Sequence, residues 1–221
     1  MINYDELASY IIMKCNKDNK DISNKKLQKM VFYCQAYHIA RYKEKLIDNE
    51  FEAWVHGAVL PVLYNDYSCY GYKNINKYDE EKYNNIRSSL GEYLSVFLDT
   101  IIDKFSSLSA NEIEDLNHSE LPWQEARKGY SANENCNKII NEECMYNYYS
   151  QLLYKEAKGC MKNKKAQKIS IKNKNLIMAK KRLAERKLFE INEDNKNEYY
   201  EAVFNDFSEG EGYTWRAMNG R

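Results

Sequence analysis

The chain has 221 residues, enough for one sizeable domain plus an appendage but a tight fit for two, and its 33 basic and 33 acidic side chains cancel only in the total. Residues 1–157 carry 18 Lys/Arg against 24 Asp/Glu, residues 158–187 carry 12 against 1, and residues 188–221 carry 3 against 8, so a basic belt lies between two acidic parts. Six cysteines without a Cys-x-x-Cys pair and three scattered histidines speak against a disulfide framework or a zinc site. No apolar run approaches the ~18–20 residues of a bilayer span, and the N-terminus lacks a basic segment followed by an apolar one, so a reducing cytoplasm is expected and a membrane is not.

In chain order, Leu7, Ala8, Ile11 and Ile12 recur at helical spacing within a first short helix from Tyr4 to about Lys17. Ser23 or Asn24 caps a longer second helix, in which Leu27, Met30, Val31, Cys34, His38 and Tyr42 form a core-facing stripe. His38 reads as a packed core histidine, because metal ligation needs partners that the sequence does not show. Phe51 to Val55 alternates over a few residues and, with Leu46 and Ile47 upstream, suggests a small hairpin or extended pair. The segment from His56 to Pro61 reads as a turn, with Gly57 free to take positive φ and Pro61 opening a helix through Tyr64 and Tyr67.

From Asp79 to Phe105 the wide apolar face of Tyr83, Ile86, Leu90, Tyr93, Leu94, Phe97, Leu98, Ile101, Ile102 and Phe105 predicts one long helix placed centrally in the core, with Gly91 costing about 1 kcal/mol relative to Ala. Ser109 and Glu112 have the spacing of a capping box, so a helix starts there. It ends near His118 and the chain restarts at Pro122. A polar loop at 129–137 leads to a helix from about Glu142 to Lys158. The expectation is thus a mainly α protein: a compact helical domain over 1–158 with a minor β element, then a helical, basic extension and an acidic, aromatic-rich tail over 159–221.

No nucleophile beside a base, Gly-rich phosphate cradle or paired metal-ligand spacing appears, so neither an enzymatic activity nor a cofactor is expected. Glu112, Glu114, Asp115 and His118 are read as capping and helix-end residues rather than as an acid/base set. The basic belt fits three roles, in this order: a solvated or intramolecular face, a surface for an acidic protein partner, and a nucleic-acid contact through 158–187. The last is weakened by the lack of stacking aromatics in the belt. The tail aromatics are either a further helix on the domain or anchors for a partner. The candidate partner-binding residues are Lys180, Lys181, Arg182, Arg186, Phe204, Phe207, Tyr213 and Trp215.

Three blocks in order resemble one family. Lys26-Leu27-Gln28-Lys29 with Phe32-Tyr33-Cys34-Gln35-Ala36 is similar to the Lys-Leu-Gln-Lys, Tyr-Ala-Gln helix of the Panacea domain, also called the SocA-like antitoxin domain. Ala53-Trp54 with Gly57, Val59 and Pro61 resembles its Ala-Trp, Gly-Pro-Val-x-Pro segment, and Leu108-Ser109 through His118, Pro122-Trp123 and Ala126-Arg127 resembles its Leu-Ser, Thr-His, Pro-Trp, Ala-Arg block. The likeness spans about residues 4–157. Ala58 stands where the family usually has Pro, and Asn117 where it often has Thr, which implies a locally altered turn and helix end.

The resemblance implies a mostly helical, non-enzymatic domain of bacteria, mobile elements and phages. Its members include antitoxins that neutralise a neighbouring toxin by direct binding and an adaptor that delivers a toxin to a protease. It implies structural roles for Leu27, Gln28, Tyr33, Trp54, Gly57, Pro61, Ser109, His118, Pro122, Trp123 and Arg127, with Trp54, Pro122 and Trp123 filling the core. The leading expectation is an antitoxin-like, protein-binding module. The alternatives are a phage or mobile-element inhibitor of a host defence nuclease complex, in which the belt covers a nucleic-acid channel, and a proteolytic adaptor.

Overall fold

The first helix, α1 (Tyr4–Lys17), starts where the side chain of Asn3 accepts the Asp5 N–H, and it carries acids in its first turn and lysines in its last, both favourable to the helix dipole. The structure is a computed structural model and describes residues 1–162. Among the described residues it has seven α-helices and a small antiparallel sheet. Met1–Tyr149 form one compact unit; of the second, Ser150–Arg221, only the helical residues up to Lys162 are described.

Helix α2 (Asn24–Tyr42) is the centre of the first unit, a place that apolar periodicity assigns to the helix after Asp79. It packs against α1, α3, α4, α5 and the sheet, and it is buried on every face, not along one stripe. Its polar residues explain the difference. Lys26, Gln28, Lys29 and Gln35 are each at most 3% exposed and bind backbone groups of neighbouring segments. Lys26 Nζ donates to Ser106 O at 2.7 Å, and Gln35 accepts the N–H groups of Leu46 and Ile47 while donating to Ile47 O. A polar side chain can be buried without penalty when it replaces water at such groups. His38 is half-buried, bonds to Glu44 O through Nδ1 and lies against Tyr42 and Phe97; Tyr42, at the end of the expected stripe, is 40% exposed.

The β element is a hairpin of β1 (Glu52–Trp54) with β2 (Gly57–Val59), joined by Val55 and His56. The stretch 57–59, read from sequence as a turn, is therefore a strand, and 46–47 is not its partner. Pro61 is the first residue of α3 (Pro61–Tyr67), where its missing N–H is not needed, and a 3-10 turn follows at Ser68–Tyr70.

Helix α4 (Glu80–Ser106) is interrupted. Gly91 has φ 73° and ψ 169°, a conformation open essentially to glycine alone, so it is not a helical residue at all. Arg87 and Asp99 bond to each other across the break, though twelve helical residues span about 18 Å along a straight axis. The chain must therefore fold at Gly91, and just beyond the break Tyr93, expected on the apolar face, is 91% exposed instead. Tyr10 of α1 fills the bend: its hydroxyl donates to Asp99 and accepts from Arg87, both at 2.6 Å, and its ring stacks on Tyr83.

Helix α5 (Ala110–His118) opens with both bonds of the Ser109–Glu112 capping box. Helix α6 (Leu121–Ala126) has Pro122 in its first turn, and α7 (Glu142–Lys162) runs through Gly159. Between them, residues 138–140 lie antiparallel to the outer side of β1, with Ala53 N donating to Lys138 O at 2.9 Å and Ile140 N to Phe51 O at 2.8 Å. No helix among the described residues is long and apolar enough to cross a membrane.

Candidate functional site

All three sequence blocks converge on the hairpin. Glu52–Val59 and Trp54–Gly57 pair across the two strands, so the intervening Ala53–Ala58 pair turns both backbone groups of each residue outward. Buried outward-facing groups need partners, and side chains from other elements supply them. On the β2 side, Lys29 Nζ of α2 donates to Ala58 O at 2.9 Å, Asn117 Oδ1 of α5 accepts from Ala58 N at 2.7 Å, and Gln28 Oε1 accepts from Leu60 N at 2.9 Å. Lys29, Asn117 and Gln28 thus take the place of a third strand.

On the β1 side, residue Ala53 gives its N–H to Lys138 O, and its carbonyl accepts from Arg127 Nη1 at 2.9 Å. Arg127 is 5% exposed, and its Nη2 donates to Ser131, Ala132 and Glu134 carbonyls, so one guanidinium holds both the strand and the loop after α6. A rigid fork of donors suits this work where a lysine would not. Trp123 Nε1 donates to Trp54 O at 3.0 Å, which ties α6 to the end of β1.

Gly57 is where the blocks meet most closely. Its φ is +92°, and a Cβ there would lie 2.6 Å from Lys29 Cε and 2.7 Å from Asn117 Oδ1. The glycine therefore serves two ends, a left-handed backbone and a close approach of α2 and α5. The two departures from the family pattern also meet here. A proline at 58 would have no N–H to give, whereas Ala58 has one, and Asn117 accepts it.

Charge is unevenly placed around this hub. Burial pushes the Lys29 ammonium down to about 7, with Glu114 opposing and Lys25 adding to the effect. Glu114 is raised by burial, but Lys25 Nζ at 2.5 Å and His56 Nδ1 at 2.8 Å outweigh that and leave its carboxyl below the usual range. Burial lowers His118, whose ring stacks on Trp123 at 4.2 Å between centroids. Glu120 is 3% exposed and raised by burial to about 7, even though the Tyr149 and Tyr33 hydroxyls donate to its Oε2 at 2.7 and 2.9 Å. Asn117 Nδ2 closes no hydrogen bond of full geometry, yet its amide lies near enough to Glu120 to oppose that rise.

Leu27, Gln28, Tyr33, Gly57, Pro122 and Arg127 are buried, and Pro61, Ser109 and His118 mark helix ends. Trp54 and Trp123, expected to fill the core, are half-buried instead. The reason is their polar coupling: Trp54 donates to Glu52 Oε2 at 2.7 Å and meets Tyr64 edge-on at 5.1 Å, while Trp123 lies between His118 and the Arg127 guanidinium. Together with Tyr64 and Leu121, at 40% and 45% exposure, they leave aromatic surface on the outside of the hub. Sequence reasoning does not reach Lys29, Glu114, Glu120 and Asn117 as hub residues; its only signals are the second Lys of Lys-Leu-Gln-Lys and the departure at 117. No group of three or more His, Cys, Asp or Glu side chains among the described residues is arranged to hold a metal.

The hairpin, the helix that crosses behind it and the capped helix beside it all lie in one matched segment. Residues 27–124 match the family model of the antitoxin SocA-like, Panacea domain. The matched segment takes in most of α2 through most of α6, and with it Gln28, Lys29, Gly57, Asn117 and Glu120 of the hub. Helix α1, the Arg127 fork, residues 138–140 and Tyr149 lie outside it. No curated protein and no solved structure matches the chain. The candidate partner-binding residues Lys180, Lys181, Arg182, Arg186, Phe204, Phe207, Tyr213 and Trp215 lie outside the described residues, as does most of the basic belt.

Proposed function

We propose that this chain is a non-enzymatic antitoxin, a protein-binding module that neutralises a toxin by holding it directly. The match of residues 27–124 to the antitoxin SocA-like, Panacea domain carries this reading. The polar side chains of the hub support it, because Lys29, Asn117, Gln28 and Arg127 spend their donors and acceptors on the backbone. A scaffold of this kind fixes a surface; it does not turn over a substrate. The toxin is held by the extension from Gly159 to Arg221, through its basic residues at 180–186 and its aromatic residues at 204–215, together with the part-exposed aromatic face outside the hub. The module works in the cytoplasm.

Co-expression with the product of the neighbouring gene tests the reading. That product alone should arrest growth, this chain should restore it, and the two should co-purify. A neighbour that is neither toxic nor bound refutes the proposal. The intact chain should capture the toxin, and a variant with Phe204, Phe207, Tyr213 and Trp215 changed to Ala should capture at least tenfold less. Nuclease or other enzymatic activity in the purified chain would also overturn it.

A further inference from the structure

The two sides of the hairpin end differently. On one, the outward groups of β2 are closed by side chains of α2 and α5. On the other, residues 138–140 bridge the outer side of β1 in antiparallel fashion, and there the ladder stops. Ala53 N bonds Lys138 O and Ile140 N bonds Phe51 O, a pattern that leaves Glu52 and Ile139 facing as a pair without mutual bonds. Ile139 must then direct its N–H and C=O away from β1, and among the described residues neither has a hydrogen-bond partner. The residue as a whole is 45% exposed.

Protective edges carry a charge or a proline at the outward position, because a bare edge is a template for another strand. Here that position is an isoleucine. Two clefts flank it, sharing Ile139 and Asn141. The first, of about 260 Å³, is lined by Glu50, Glu142 and Glu143 with Phe51 and Met145; Glu142 already pairs with Lys45 Nζ at 2.6 Å, which leaves Glu50 and Glu143 as its open carboxylates. The second, of about 310 Å³, is lined by Pro122, Ala126, Tyr130 and Cys144 among mixed charges. Residues 1–157 are also acidic as a whole, with 24 Asp/Glu against 18 Lys/Arg.

We propose that the Ile139 edge is a docking site for an extended segment of a partner protein that adds a strand beside residues 138–140 and places a Lys or Arg side chain beside Glu50 and Glu143. Backbone pairing supplies the attachment and the clefts on either side supply selectivity, the division of labour general to strand addition. The glutamates select a basic segment over an acidic one, since like charge brought against them costs binding energy. The site stands whether or not the partner is a toxin.

Amide exchange of the full-length chain, read at single residues by NMR, tests this with acetyl-Lys-Ile-Lys-Ile-Lys-amide as the probe and acetyl-Glu-Ile-Glu-Ile-Glu-amide as its counterpart. In the chain alone the Ile139 amide should exchange fast; at saturation with the basic peptide it should slow at least tenfold, with no slowing by the acidic one. The Ile139→Pro variant should lose binding, and, should it not fold, Glu143→Lys should weaken binding at least tenfold with an unchanged melting temperature. Slow exchange in the chain alone would mean that the edge is already covered by a second copy or by the chain itself, and it would overturn the proposal. So would equal binding of the two peptides, or binding with no change at Ile139.

Discussion

The closed and open sides of the hairpin solve the same problem with different means. At β2, three side chains from helices 24–42 and 110–118 meet the outward backbone groups, and nothing more can be added. At β1, an arginine and a short strand meet them, and the strand hands the problem on to its own outer side. A side chain can terminate a sheet; a strand can only move its edge. The difference predicts that substitutions on the closed side are felt in stability and that substitutions at the outermost strand are felt in binding.

The largest effect should come from Gly57→Ala, which puts a methyl group into Lys29 and Asn117 at a left-handed position; a loss of about 3 kcal/mol or more is expected from urea unfolding. Arg127→Met comes next. It removes the donor to Ala53 O and to three loop carbonyls, and it should cost about 2–3 kcal/mol, with faster amide exchange across 128–137. Asn117→Thr should cost about 1–2 kcal/mol by leaving Ala58 N–H without its acceptor, whereas in an Ala58→Pro background the same change should cost less by about 1 kcal/mol. Additivity in that cycle would break the link between the two departures from the family pattern. Ile139→Thr should change stability by no more than about 0.5 kcal/mol, which would set the open side apart from the closed one.

Proton linkage sharpens the comparison, because the hub holds an acid and a base that are both shifted toward neutrality. Between about pH 4.5 and 7, Glu120 keeps its proton in the fold and loses it on unfolding, so stability falls as pH rises. Between about pH 7 and 10.5, Lys29 is neutral in the fold and charged when unfolded, so stability rises with pH. These two groups together contribute a minimum near pH 7. Urea midpoints across this range should show the acid limb flattened in Glu120→Gln and the alkaline limb flattened in Lys29→Met.

Helix positions, the capping box, the proline starts and the mainly α class were legible because each rests on residues within a few positions of one another. The identity of the central helix was not. Apolar spacing favours the segment after Asp79, whereas Lys26, Gln28, Lys29 and Gln35 of α2 are buried by bonds to backbone far along the chain, which periodicity does not register. Gly91 looks like a tolerated helical glycine because nothing in the sequence reveals its φ of 73°. The resemblance implies that Trp54 and Trp123 fill the core, but their indole N–H groups are used at the margin of the fold. For the site, the family blocks name Gln28, Gly57 and Arg127; Lys29, Asn117 and Glu120 become visible as its members only when the chain is folded. The partner-binding residues proposed in the extension rest on charge and aromatic content alone.

The hairpin also dictates an order of events during synthesis. Ala58 takes its N–H acceptor from 59 residues later in the chain, and Ala53 takes its carbonyl donor from 74 residues later. Two strands of three residues cannot hold together in water by themselves, and contacts this distant in sequence form slowly. As the chain leaves the ribosome, helices 4–17 and 24–42 are therefore complete well before the strands beside them are satisfied. The hairpin waits for Lys138 and Ile140 to emerge, so an early stop before that point leaves the Ala53 N–H and the Phe51 carbonyl without their partners.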